Sequence, residues 1–323
     1  MKPINTEETN MQLLEINKEN YIGQADPFIF EDDGRFYIYT TGKDGIYAYS
    51  SDDLFSGWKF EGMVFTFPGV SDFWAPSVIK IDGTYYMYCS FEFYGDTPDE
   101  GGHRQTMHVS SASSPLGPFG NAKQLLHPFS IDSHVVRTES GLFIFYSTNR
   151  FDTERPGTYI VVDRLLDPYT PADKPHTVVV PTLDEEIYRR DRYRPGVHWH
   201  TIEGAFWFRE GDWQYVMYSG SCYENEHYFI GYARAKTDET DLTKIDFEKY
   251  PSDSTYAPVI ASNEWEEGAG HHSMIKHGGK WYAVYHARNT EDDGLPDDRR
   301  NARICLMSVE DGIITAHRKQ YEL

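Results

Sequence analysis

The chain repeats one pattern five times: a short segment, a tight acidic or glycine turn, then an aromatic strand ending in a small polar residue. The copies are ADPFIFEDDGRFYIYTTG from Ala25, APSVIKIDGTYYMYCS from Ala75, DSHVVRTESGLFIFYST from Asp132, EGAFWFREGDWQYVMYSG from Glu203 and HHSMIKHGGKWYAVYHAR from His271. Each reads as a β-hairpin whose turn carries a glycine, at Gly34, Gly83, Gly141, Gly211 and Gly279, the residue best able to take a left-handed turn conformation. Bulky runs such as Phe36-Tyr37-Ile38-Tyr39 suit strands packed on both faces. Repeats of about 50 to 70 residues, with no long 3.6-residue hydrophobic pattern, predict an all-β chain folded as a five-bladed β-propeller. A β-sandwich or jelly roll would also use short strands, but offers no reason for a hairpin recurring in constant register. No low-complexity linker divides the chain, so residues 21–323 read as one propeller domain, preceded by a polar N-terminal arm over 1–20.

Composition narrows the partners. The 51 acidic and 30 basic side chains leave a formal charge of −21, which argues against a nucleic-acid binder. No apolar run approaches the roughly 20 residues that span a bilayer. The opening MKPINTEETN lacks the layout of a secretory signal, so no membrane association and a cytoplasmic location are expected. Cys89, Cys222 and Cys305 are too few and too scattered for a disulfide framework, and are expected to be buried thiols. The 24 Tyr, 19 Phe and 7 Trp agree with a strand-rich fold.

Counted back from the turn glycines, Asp26, Ala75, Asp132, Glu203 and His271 fall at one structural position in the five blades. If these begin the inner strands, their side chains converge on one rim of the central channel, with Trp74 and Pro76 flanking the second. Three of the five are carboxylic acids, which rarely lie buried without a partner. Gathered in a concave site, their pKa values split, and that split is what glycoside hydrolysis needs: a protonated acid for the leaving oxygen and an ionised base for water. Neighbouring blades place Asp132 beside Glu203, where it would raise the acid. Asp26 would activate water from the far side of the sugar, a spacing that favours inversion over retention.

These residues resemble glycoside hydrolase family 43, five-bladed propeller enzymes that act by inversion on arabinose- and xylose-containing glycans. The likeness runs from about Tyr21 to Gly312 through ADPF at 25–28, WAPS at 74–77, IDSH at 131–134, IEGA at 202–205, GAGHHS at 268–273 and YHAR at 285–288. The resemblance implies Asp26 as general base, Asp132 as the residue that tunes and orients the acid, and Glu203 as general acid. It implies Trp74 as an aromatic wall of the first subsite and Arg300, or equally Arg299, as the arginine contacting sugar hydroxyls. It makes His271 a candidate for an axial site where many members hold calcium or a water cluster. One histidine offers calcium no oxygen, so waters or carbonyls would have to complete that shell. The family's frequent EGP is here Glu203-Gly204-Ala205, a change expected to alter a local turn more than the chemistry.

Other features carry less. His271 and His272, adjacent on a strand, are expected to point to opposite sides. His198 and His200 share a face but lack a third zinc ligand at recognisable spacing. Arg189, Arg190, Arg192 and Arg194 are expected to pair with Asp184, Glu185, Glu186 and Asp191. Long loops over 91–105 and 184–200 would wall a pocket around a single sugar. The expectation is thus an exo-acting enzyme releasing terminal α-L-arabinofuranose from neutral arabinose- or xylose-containing oligosaccharides, without an organic cofactor. A β-D-xylosidase, an endo-arabinanase or a non-catalytic sugar-binding propeller are the alternatives, and a homo-oligomer is left open.

Overall fold

A computed structural model describes residues 11–14, 22–93, 95, 97–290 and 300–318. A two-residue strand, β1 (Met11–Gln12), precedes the first blade and is followed by the buried Leu13 and Leu14; residues 1–10 and 15–20 of the expected N-terminal arm lie outside the described residues. Blade 1 holds β2 (Phe28–Asp32), β3 (Arg35–Thr40), β4 (Ile46–Ser51) and β5 (Lys59–Phe65). Blade 2 holds β6 (Trp74–Ile81), β7 (Thr84–Glu92), β8 (Gln105–Ala112) and β9 (Gly120–Gln124). Blade 3 runs β10 (Ile131–Thr138), β11 (Gly141–Arg150) and β12 (Gly157–Asp167), its outer edge shared by the short β13 (Thr170–Pro171) and β14 (His176–Val179). After β15 (Ile187–Arg189), blade 4 holds β16 (Trp199–Glu210), β17 (Trp213–Gly220), β18 (Phe229–Lys236) and β19 (Glu248–Lys249). Blade 5 holds β20 (Glu266–His277), β21 (Lys280–Asn289) and β22 (Asn301–Glu310), and β22 pairs outward with both β23 (Ile313–His317) and β1.

The aromatic strands bury their side chains between sheets, so the core is five seams rather than one centre. Tyr39, Tyr85 and Phe91 fill the seam of blades 1 and 2. Tyr88, Ile144 and Val161 fill that of blades 2 and 3. Phe145, Val216 and Phe229 join blades 3 and 4, and Tyr215, Tyr232 and Tyr285 join blades 4 and 5. Ile29 and Ile38 of blade 1 meet Tyr282 and Ile304 of blade 5, together with Leu13 and Leu14, so the ring closes. Each such fully buried side chain contributes about 1.5–3 kcal/mol. The three cysteines are buried and unpaired, as expected.

The hairpins correct one step of the register. Cross-strand pairs Asp32 with Arg35, Ile81 with Thr84, Thr138 with Gly141, Glu210 with Trp213 and His277 with Lys280 define two-residue turns in all five blades. The glycine is the second turn residue in blades 1, 2 and 5, the first in blade 4 at Gly211, and follows the turn in blade 3 at Gly141. Measured from the turn itself, the equivalent residues are Asp26, Ala75, Asp132, Gly204 and His271. All five take left-handed backbone, with φ of 52°, 46°, 59°, 63° and 41°. Glu203 lies one residue earlier, level with Ala25, Trp74, Ile131 and Gly270. In blades 2 to 5 the ladder register shifts across this point, the mark of a β-bulge.

Left-handed backbone at a non-glycine residue costs on the order of 1–3 kcal/mol and persists only where its surroundings hold it. Here the preceding blade does so by accepting the strained residue's N–H. Asp26 donates to Nδ1 of His286 at 3.1 Å, Ala75 to Oγ1 of Thr41 at 2.8 Å, Gly204 to Oδ2 of Asp132 at 3.2 Å, and His271 to Oγ of Ser219 at 2.8 Å. Thr41, Ser219 and His286 belong to the polar ends of the aromatic strands that marked the repeat.

Candidate active site

The bulges bring Asp26, Asp132, Glu203 and His271 to the floor of a cavity of about 640 Å³ at one end of the channel, lined also by Trp74 and Arg300. All six sequence-predicted residues therefore meet at one site. Arg299 lies outside the described residues. Trp74 is half-buried at the rim, as a sugar-facing wall requires. Both loops expected to enclose the pocket contribute: His103 from one, and Tyr188, Arg192 and Trp199 from the other.

Asp26 is the most heavily partnered carboxylate. Nη1 of Arg300 reaches its Oδ1 at 3.2 Å, Nδ1 of His271 lies 3.4 Å from the same oxygen, and the Thr41 hydroxyl donates to Oδ2 at 2.5 Å. Burial alone would raise this carboxyl, but His271, Arg300 and His286 outweigh it and hold Asp26 well below the usual carboxylate range. Burial also lowers His271, and lowers His286 to about 4. His286 is then neutral near pH 7, and the permanent positive charge beside Asp26 belongs to Arg300.

Glu203 is half-buried and pushed up to about 7 by desolvation and by the charge of Asp26, against the opposing pull of Tyr228 and Arg300. The Tyr228 hydroxyl donates to Oε1 at 2.7 Å, which leaves Oε2 to carry a proton. Asp132 is also raised, first by burial, then by the negative charges of Glu203 and Asp26. The expectation that Asp132 raises Glu203 is thus corrected in part: the two share one proton balance, and Asp26 supplies the charge that lifts Glu203. The Gly204 N–H favours the ionised form of Asp132.

Three further expectations change. His271 and His272 do not point to opposite sides of the strand: both line a small cavity beneath the carboxyls, because the left-handed His271 breaks the alternation of β20. Arg192 pairs with none of the predicted acids. Asp184 binds Arg155, Glu186 binds Lys249, and Asp191 lies by His198, whereas Arg192 turns to the cavity wall. Among the described residues no group of three or more His, Cys, Asp or Glu side chains is placed to hold a metal, so the residues do not fit direct ligation of calcium or zinc. An ion at His271 would rest on waters or carbonyls, and no chemical step is assigned to it.

Thr41, Tyr228 and His286 escaped the sequence reading. They sit in other blades or other strands from the acids they touch. For Thr41 and His286 the signal was present in the small polar strand ends; for Tyr228 it was Gly270, where a Cβ would run into the Tyr228 ring.

Known proteins share this fold. The chain is 27% identical over 242 residues to an extracellular exo-α-(1→5)-L-arabinofuranosidase of Streptomyces avermitilis, covering 72% of this chain and 46% of that protein, so it spans about half the length of that relative. It is 25% identical over 285 residues to a probable arabinan endo-1,5-α-L-arabinosidase C of Neosartorya fischeri, covering 81% of each. A thermostable family-43 glycoside hydrolase superposes with a TM-score of 0.74 at 26% identity, over 92% of this chain and 93% of that one. The fold is likewise shared with an α-L-arabinofuranosidase from Lactobacillus brevis, with a TM-score of 0.74 at 20% identity over 94% and 98% of the two chains. A model of glycosyl hydrolases family 43 matches residues 22–314, and with three carboxyls converging at the mouth of a five-bladed propeller the chain belongs to that family of glycosidases.

Proposed function

We propose that the chain is an inverting exo-glycosidase that releases terminal α-L-arabinofuranose from arabinose-containing oligosaccharides. The observation that carries this reading is a cavity walled by loops of two blades above an ionised Asp26 and a Glu203 that holds its proton up to about 7. Glu203 gives its proton to the glycosidic oxygen as the bond to the anomeric carbon breaks. Asp26 takes a proton from a water that attacks the opposite face, and the product leaves with inverted configuration. Asp132 holds the acid's surroundings through the Gly204 N–H and its proton balance with Glu203. Arg300 keeps Asp26 ionised and faces the sugar hydroxyls, and Trp74 offers the sugar an aromatic wall.

A β-D-xylosidase is the second reading, because arabinofuranose and xylopyranose present similar hydroxyl patterns to one pocket. One fold neighbour is named a xylan β-1,4-xylosidase, from Bacillus halodurans. Hydrolysis of paired aryl α-L-arabinofuranoside and aryl β-D-xylopyranoside, with the anomer of the first product read by NMR, decides between them. Arabinoside preference and inversion are expected, with Asp26→Ala and Glu203→Ala nearly inactive. Retention, or a Glu203→Ala protein at the wild-type rate, would overturn the assignment. The Streptomyces relative is named extracellular; a cytoplasmic location for this chain is a separate proposal, checked by cell fractionation.

A further inference from the structure

The acid fixes which side of the cavity the leaving group occupies. Glu203 must face the glycosidic oxygen, so the sugar beyond that oxygen lies on the acid's side, away from Asp26. Glu203, Thr201 and Trp199 alternate along β16 and all line the cavity. At about 3.3 Å per residue, Trp199 begins roughly 13 Å farther out than the acid, far enough for a sugar ring to lie between.

Trp199 itself is 2% exposed, covered by what packs on it. The Arg192 guanidinium lies 5.2 Å from the Trp199 ring centroid and 5.1 Å from that of Tyr188. Nη2 of Arg192 sits 3.0 Å from Nε2 of His103, a residue of the blade 2 loop. Nδ1 of His103 is 3.2 Å from Asp99, which also accepts from Asn149 Nδ2 at 2.7 Å. Arg192 can only donate, so Nε2 accepts from it and the His103 proton lies on Nδ1, facing Asp99. The chain Asp99, His103, Arg192 joins loops from two blades, and its terminal guanidinium, stacked and oriented, borders the cavity.

A planar fork of N–H donors held against an aromatic face is pre-organised for two adjacent oxygens. We propose that Arg192 binds the leaving-group sugar, a neutral pentose unit with two adjacent free hydroxyls, and that Asp99 and His103 are its positioning residues. The inference rests on the exo-glycosidase reading above. The enzyme would then favour a sugar, rather than a simple alcohol, as leaving group.

The test compares kcat/KM on α-(1→5)-arabinobiose with that on methyl α-L-arabinofuranoside, and on xylobiose with methyl β-D-xylopyranoside. The ratio of disaccharide to methyl glycoside should fall at least about tenfold in Arg192→Ala and by a smaller factor in Arg192→Lys, which keeps the charge but loses the fork. Thermal unfolding of each variant checks that the loops still fold. A ratio unchanged in both variants, with wild-type enzyme active, would overturn the subsite alone. Wild-type enzyme inactive on all four compounds would overturn the subsite together with the reading it rests on.

Discussion

Each carboxyl at the site owes its state to the few atoms around it. Tyr228 is the cleanest probe, since its hydroxyl touches Glu203 at Oε1 and stabilises the ionised acid. Tyr228→Phe removes that bond, so the alkaline limb of the kcat/KM profile should move above its wild-type position near 7. The rate at the optimum should drop by roughly tenfold as the acid loses its orientation. Glu203→Gln tests the same group through stability. Glu203 binds its proton more tightly folded than unfolded, so the fold holds an extra proton between the ordinary value of 4.5 and about 7. Stability is therefore lost as pH rises through that window. The glutamine variant escapes the loss and should be more stable than wild type at pH 8 by roughly 3 kcal/mol, with little difference at pH 4. Equal melting temperatures across that range would refute the shift.

At the scale of strands and hairpins, much was legible in the repeat and one offset was not. Five hairpins with tight turns and the meeting of Asp26, Asp132 and His271 follow from aromatic strands set behind glycine turns. Glu203 was placed at the right site through the wrong register, because Gly211 opens its turn whereas Gly34 closes its own. The left-handed bulge that sends both His271 and His272 to the channel leaves no mark in hydrophobic alternation. Arg192 was misread because charge proximity in sequence said nothing of the Trp199 face or of His103, which lies in another blade's loop. Gly270 ties element to site. A methyl group there would collide with the Tyr228 ring inside the fold, so Gly270→Ala should cost about 1–3 kcal/mol in urea unfolding. It should also shift the alkaline limb as Tyr228→Phe does; a destabilised protein with a wild-type pH profile would separate the two effects.

Across the whole molecule the chain carries 21 excess negative charges, and the cavity sets Lys43, Arg192 and Arg300 among Asp26, Asp72, Asp132, Glu203 and Glu224. Self-repulsion among the exposed acids should make the melting temperature rise by a few degrees from low salt to about 0.5 M sodium chloride. KM for a neutral arabinoside should stay flat over the same range, because uncharged sugars feel no long-range field; a steep dependence would point to an ionic substrate. The five left-handed residues have another consequence. Asp, Ala, Asp, Gly and His occupy the same left-handed seat, so the backbone there takes different tenants, and at Asp26, Ala75, Gly204 and His271 the neighbouring blade's hydrogen bond holds it. Chemistry on this ring is a matter of occupancy rather than architecture; Ala75, like Gly204, is a berth that carries no functional group, and a new side chain at Ala75 would join the cavity below the carboxyls without rebuilding a strand.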